Sequence, residues 1–278
     1  MSNKIAFHIA DMGLGDHICQ IGAVRYLRTL YDKVIVAGLK NNENNLKDIY
    51  SDDKNIELYI IEASKDLVPR YGCSHEKFNA ITKNTTVYMT GCQLPKGGGG
   101  PRNYIIVKPY EWLNLDFSIF WEYFSVPHKP ESIDLFKNLK DLKYIFVHDH
   151  AIAAVNGTVF TLENITDELL INPCRNMYTK DHKYFDLAEK FINKPILDYI
   201  DTIINSSMLI LSDSAFLALS INLEIKTDKC YHTSRYHFSD HIWSSKNIFN
   251  SSKVKRKKFT LLHKPQVEMI FIDINKLY

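Results

Sequence analysis

The stretch KIAFHIADMGLGDHICQIGAVRYLRTL, residues 4–30, decides the fold. Residues 4–10 form a short apolar run that ends in a glycine-containing turn, the pattern of a buried strand. From about residue 16 to residue 31, Ile18, Ile21, Val24, Leu27 and Leu30 recur at helical spacing, with Arg25 and Arg28 on the other side. A strand, a glycine turn and a helix opening directly from it make the first half of a βαβ unit. The rhythm continues with predicted strands at 34–39 and 56–61, a polar helix at 42–50 between them, and a further strand at 86–90. Strand and helix alternating in this way specify a parallel sheet with crossover helices.

The alternation restarts after an irregular middle. Strands are predicted at 144–148 (YIFVH), 168–172 (ELLIN) and 208–211 (MLIL), with helices at 184–192, 195–205 and 215–223. The apolar run at 267–274 predicts a last strand. Between the halves lie a Gly97–Gly100 loop flanked by Lys96 and Arg102, a helix at 111–124 carrying Trp112 and Trp121, and a proline- and charge-rich stretch at 126–140 read as an interdomain connection. The fold class expected is therefore α/β, with two Rossmann-like lobes over residues 1–138 and 139–278 and an interdomain cleft. One large doubly wound domain is the alternative.

Composition narrows the function. A chain of 278 residues with 45% hydrophobic residues can bury substantial cores, and its net charge of +2 lacks the basic excess of a nucleic-acid binder. Five cysteines, an odd number without a Cys-x-x-Cys, suit free thiols in a reducing, cytoplasmic compartment. No signal peptide and no membrane-spanning run is predicted.

Two turns carry the candidate chemistry. The first, Asp11-Met12-Gly13-Leu14-Gly15-Asp16-His17, lacks the third glycine of a dinucleotide fingerprint, with Ile18 in its place, and no acidic residue closes the second strand. Asp16 either caps the helix or stands as a carboxylate able to take a proton from a hydroxyl. Gly13, Gly15 and His17 accompany it on the acceptor side. The second turn, Ser212-Asp213-Ser214-Ala215-Phe216, again joins a buried strand to a helix, where free N–H groups can hold a phosphate. Each turn follows a strand's carboxyl end, where open α/β sheets bind ligands.

These two segments resemble a known family. GLGDHICQIGAVRYLR, residues 13–28, is similar to the Gly-Asp motif of glycosyltransferases of the GT-B fold, and most of all to the heptosyltransferase-like group. SSMLILSDSAFLALSINL, residues 206–223, resembles the same group's strand–Asp-Ser/Thr-Gly–helix motif. The resemblance implies a metal-independent transfer of sugar from a nucleotide-sugar donor to a glycan or lipid-linked acceptor. In it Asp16 would be the general base, and the loop from Asp213 to Phe216 would hold the donor's diphosphate. No cofactor is implied, the nucleotide sugar being a co-substrate, and the sequence has no Asp-x-Asp. Two departures stand out: Ala215 replaces the motif's glycine and Ala218 its histidine. A nucleotide-sugar epimerase of the same fold and a catalytically silent nucleotide- or glycan-binding module are the alternatives.

Further candidates lie near the same strand ends. Arg175 follows the strand at 168–172 and either pairs with phosphate or forms a surface ion pair. Arg235 and His232 are similar cleft-edge residues. His148 and His150 share one face of a strand end; contact with substrate is expected there and a metal site is not, since no third ligand stands at a recognisable spacing. The dense basic run Lys253, Lys255, Arg256, Lys257 and Lys258 reads as a solvated face or as a peripheral contact with an anionic membrane.

Overall fold

The computed structural model describes residues 4–90, 107–148, 168–212, 214–233 and 260–261. The chain divides into two compact units, Met1–Pro127 and His128–Tyr278.

The first unit is built on a parallel sheet of β1 (Ile5–Ile9), β2 (Lys33–Leu39), β3 (Ile56–Ile61) and β4 (Thr86–Met89), in the order β3-β2-β1-β4. The strand period of two sorts β1 into two faces. Phe7 and Ile9 join Met12, Ala37, Ile61, Leu67 and Val68 in one apolar cluster. Ala6, His8 and Ala10, all fully buried, take the other face.

Helix α1 (Leu14–Cys19) follows β1, then α2 (Ile21–Leu30). The single helix expected over 16–31 is thus divided, because Gln20 leaves helical geometry at φ −109°, ψ 7°. Its buried amide is engaged by Thr90, whose Oγ1 donates to Gln20 Oε1 at 2.9 Å. Gly22 permits a close helix approach, since a Cβ there would stand 2.5 Å from the Ile119 carbonyl oxygen. Helix α3 (Glu43–Ile49) follows β2, and α4 (His75–Ile81) precedes β4, capped by Ser74 Oγ accepting from the Lys77 N–H at 3.1 Å.

The helix expected over 111–124 is instead two short pieces, α5 (Lys108–Trp112) and α6 (Ile119–Glu122). Asn114 takes the left-handed conformation between them, at φ 53°. Tyr110, Phe117, Phe120 and Trp121 interlock across this break, with the Phe120 and Trp121 rings 4.4 Å apart and edge-on.

The second unit opens with α7 (Pro130–Lys137), a helix where a connection over 126–140 was expected. Its proline sits at the first helical position, where a missing N–H costs nothing. Ser132 Oγ and His128 Nε2 both bond Asp201 Oδ2 at 2.7 Å, and Lys129 pairs with Asp198 at 3.2 Å. These ties hold α7 within the second unit, which begins at His128.

The second sheet is also parallel: β5 (Tyr144–His148), β6 (Leu169–Ile171), β7 (Met208–Ser212), β8 (Cys230–Thr233) and β9 (Thr260–Leu261), in the order β6-β5-β7-β8-β9. Helices α8 (Phe185–Glu189), α9 (Ile200–Ile204) and α10 (Ala215–Ser220) connect its strands. Tyr178 satisfies an N–H of β6, an edge strand, by accepting from Leu170 at 2.7 Å. No described helix is long and apolar enough to cross a membrane. The expected strand at 267–274 and the Gly97–Gly100 loop lie outside the described residues.

Candidate functional site

Each sheet has a switch point. In the first unit the chain leaves β1 toward β2 and β3, then returns on the other side of β1 as β4. In the second, β5 is flanked by β6 on one side and β7 on the other. Connections that depart in opposite directions open a crevice at the carboxyl ends of the central strands, the usual ligand position in such sheets.

The first crevice is edged by the turn from β1 to α1. Gly13 is the residue before α1, in extended geometry at φ −77°, ψ 148°. Asp16 lies in the helix's first turn, and its Oδ2 accepts from the Gly13 N–H at 3.2 Å. The carboxylate folds back onto the start of its own helix instead of occupying the cap position, and it stays half-buried. A Cβ on Gly13 would lie 2.7 Å from Asp16 Oδ2, so the carboxylate would have to shift to admit one. Gly15 lies within the same first turn. Asn42, buried after β2, donates from Nδ2 to the Met12 carbonyl at 3.0 Å and so pins the turn from the neighbouring strand end.

His17 is buried, with only 1% of it exposed. His8 on β1, Gln20 and Thr90 are buried with it. Neither ring nitrogen of His8 has a hydrogen-bond partner, nor does His17 Nε2. Burial holds both imidazoles neutral, taking His17 down to about 4. For His8, burial and then the neighbouring His17 lower the value to about 3. Burial, with Asp16 adding to it, also pushes the Cys19 thiol up.

The second crevice is edged by His148, the last residue of β5, and Ser212, the last of β7. Ser212 Oγ and His148 Nδ1 lie 3.2 Å apart. The Phe216 ring packs on the imidazole at 4.8 Å, and also on Phe146 and Tyr199 at 5.5 and 5.3 Å. Ser214 precedes α10 in extended geometry, and its buried Oγ has no hydrogen-bond partner. Ala215 is the first residue of α10. Arg175 is half-buried on the loop after β6, a loop shaped by the Cys174 N–H donating to Asn172 Oδ1 at 2.9 Å. Asp213, His150, Arg235 and the basic run from Lys253 to Lys258 lie outside the described residues. The described residues contain no group of three His, Cys, Asp or Glu side chains placed to hold a metal ion.

The structure therefore brings Gly13 and Asp16 together in one unit, and His148, Ser212 and Phe216 in the other. Asn42, Thr90 and His8 were not foreseen as parts of a site. The first two are polar residues just past a strand end, which is the one local signal they carry.

No family model and no curated protein sequence matches this chain. Solved structures do. The glycosyl transferase family 9 protein from Veillonella parvula DSM 2008 is similar over 94% of this chain and 86% of its own, at 8% identity and a TM-score of 0.50. The E. coli ADP-heptose LPS heptosyltransferase II is similar over 95% of this chain and 91% of its own, at 10% identity and a TM-score of 0.50. At these identities the likeness is one of fold: the chain has the α/β architecture of two Rossmann-like units found in those proteins.

Proposed function

We propose that this protein is a glycosyltransferase that moves a sugar from a nucleotide-activated donor to a hydroxyl of a glycan or lipid-linked acceptor, with Asp16 as general base. The observation that carries the proposal is the Asp16 carboxylate, held by the Gly13 N–H at the switch point of a parallel sheet. A carboxylate fixed on a rigid element and half-open to solvent can accept the acceptor's proton as the hydroxyl attacks. The solved structures of similar fold are named as a glycosyl transferase and a heptosyltransferase, which favours the same chemistry here.

In this mechanism the leaving diphosphate binds at the second crevice. Ser214 Oγ and the first amides of α10 donate to it, Arg175 adds positive charge, and His148 supplies a further donor. Fixed donors aimed at a leaving group stabilise the charge that develops on it without reorganising in the transition state. Proton transfer to Asp16 contributes ~10²–10⁴-fold.

Thermal-shift screening against UDP-, GDP-, ADP- and CMP-linked sugars tests the donor claim. A donor at a hundred times its Kd stabilises the chain by ~2.7 kcal/mol. Slow hydrolysis of the stabilising donor supports a transferase. Isomerisation of its sugar moves the assignment to an epimerase, and binding without turnover moves it to a silent module.

A further inference from the structure

We infer that Asn42 is a specificity-determining residue: its Oδ1 accepts a hydrogen bond from a hydroxyl of the sugar acceptor. The ligand in this statement rests on the transferase proposal; the orientation of the Asn42 amide does not.

Asn42 ends the short helical turn Lys40–Asn42, directly after β2, and is 9% exposed. Its one side-chain hydrogen bond among the described residues runs to the Met12 carbonyl, at 3.0 Å. A carbonyl oxygen only accepts, so the branch that touches it must be the amide nitrogen. That contact fixes which way the amide lies and puts Oδ1 on the other branch. Oδ1 has no partner of its own among the described residues, and it is not one of their sealed polar atoms left without one. It therefore meets solvent although most of the residue is buried. The result is an acceptor of fixed direction, whose rotamer freedom is already lost before a ligand arrives.

Position gives that oxygen a use. β1 and β2 run parallel, with Ile9 beside Ala37, so the end of β2 stands next to the β1–α1 turn. The Met12–Gly13 peptide is shared: Asn42 donates to its C=O, and Asp16 Oδ2 accepts from its N–H. In dinucleotide-binding sheets an acidic residue at the end of the second strand accepts from a hydroxyl of the ribose. The neighbouring carboxylate in this chain, Glu43, is instead paired with both Lys40 and Lys47. The Asn42 amide oxygen fills the same place as a neutral acceptor, which suits a sugar hydroxyl. A site built to hydrogen-bond a hydroxyl rejects an analogue that lacks it, because the acceptor is then left unpaired beneath the ligand.

The test is a titration followed by NMR. It uses the methyl glycosides of glucose, galactose, mannose and N-acetylglucosamine, with the singly deoxygenated forms of each one that binds. The wild type is expected to bind one of these glycosides, with a shift of the Asn42 side-chain amide signals, and to bind one deoxy form about tenfold more weakly than its parent. Asn42→Ala is expected to bind parent and deoxy form equally. Asn42→Asp keeps an oxygen for the ligand but loses the N–H that holds Met12, so it should share the lowered Tm of Asn42→Ala and still prefer the parent. A merely structural Asn42 would weaken both ligands together and leave the preference intact. An unchanged preference in Asn42→Ala therefore overturns the Asn42 assignment alone. So does a wild type that binds a glycoside but is indifferent to every deoxy form, or loss of the preference in Asn42→Asp. A wild type that binds none of the glycosides overturns the sugar ligand and, with it, the acceptor named in the transferase proposal.

Discussion

Acid should destabilise the first unit well before its carboxylates titrate, because two neutral imidazoles are sealed beneath the β1–α1 turn. A free histidine titrates near 6.5, whereas His8 is held down to about 3 and His17 to about 4. Both folded values are depressed, so the unfolded chain binds these protons more tightly than the native one. Their contribution to stability is complete above pH 6.5 and is lost as the pH falls from there toward the folded values. Each residue loses ~1.4 kcal/mol per pH unit across that window. By pH 5 the loss is ~2 kcal/mol for each and ~4 kcal/mol for the pair, a large share of the ~5–15 kcal/mol that holds a domain together. Urea unfolding followed by tryptophan fluorescence reports on this unit, which contains Trp112 and Trp121 of the chain's three tryptophans. The wild type should lose stability steadily between pH 7 and pH 5. His8→Met, which keeps roughly the volume and removes the titration, should halve that slope and be the more stable protein at pH 5, and His17→Met should behave alike. A flat profile between pH 7 and pH 5, or a full acid slope in both variants, would refute the reasoning.

Three further perturbations follow from single contacts. Gly22→Ala drives a Cβ into the backbone of α6, 2.5 Å from the Ile119 oxygen, and should cost ~1–3 kcal/mol, seen as a drop of several degrees in Tm. Gly13→Ala pushes the Asp16 carboxylate off its N–H, with a Cβ 2.7 Å from Oδ2. It should cut the transfer rate at least about tenfold while costing only ~0.5–2 kcal/mol of stability, so kcat and Tm are measured together. Asp201→Ala strips Ser132 and His128 of their shared acceptor, and faster amide exchange across Pro130–Lys137 is the expected sign that α7 has loosened.

Much of the fold was legible because the sheet strands are short apolar runs stopped by turn residues. KIAFHIA, VIVAGL, YIFVH and MLIL all became strands of parallel sheets. Helix ends were less legible, since they are set by distant partners. The apolar spacing of Ile18, Ile21, Val24 and Leu27 runs straight through Gln20, where the helix breaks and the side chain is held by Thr90, seventy residues away. The aromatic run from Trp112 to Trp121 carries no local stop, yet Asn114 turns left-handed where the rings need to interlock. Pro127 and Pro130 read as a linker, whereas Pro130 starts a helix. At the site, the placement of Asp16 and Gly13 on a turn after β1 was foreseen from the glycines. The inward turn of His17, the prop from Asn42 and the Ser212–His148 pair depend on contacts between strand ends that no local pattern encodes.

The central claim is that Asp16 takes the acceptor's proton. Asp16→Asn tests it most directly, because the amide oxygen can still accept from the Gly13 N–H while the side chain can no longer serve as a base. Single-turnover transfer should fall by ~10²–10⁴-fold with the affinity for donor unchanged. Transfer at the wild-type rate in a folded Asp16→Asn protein would contradict the account.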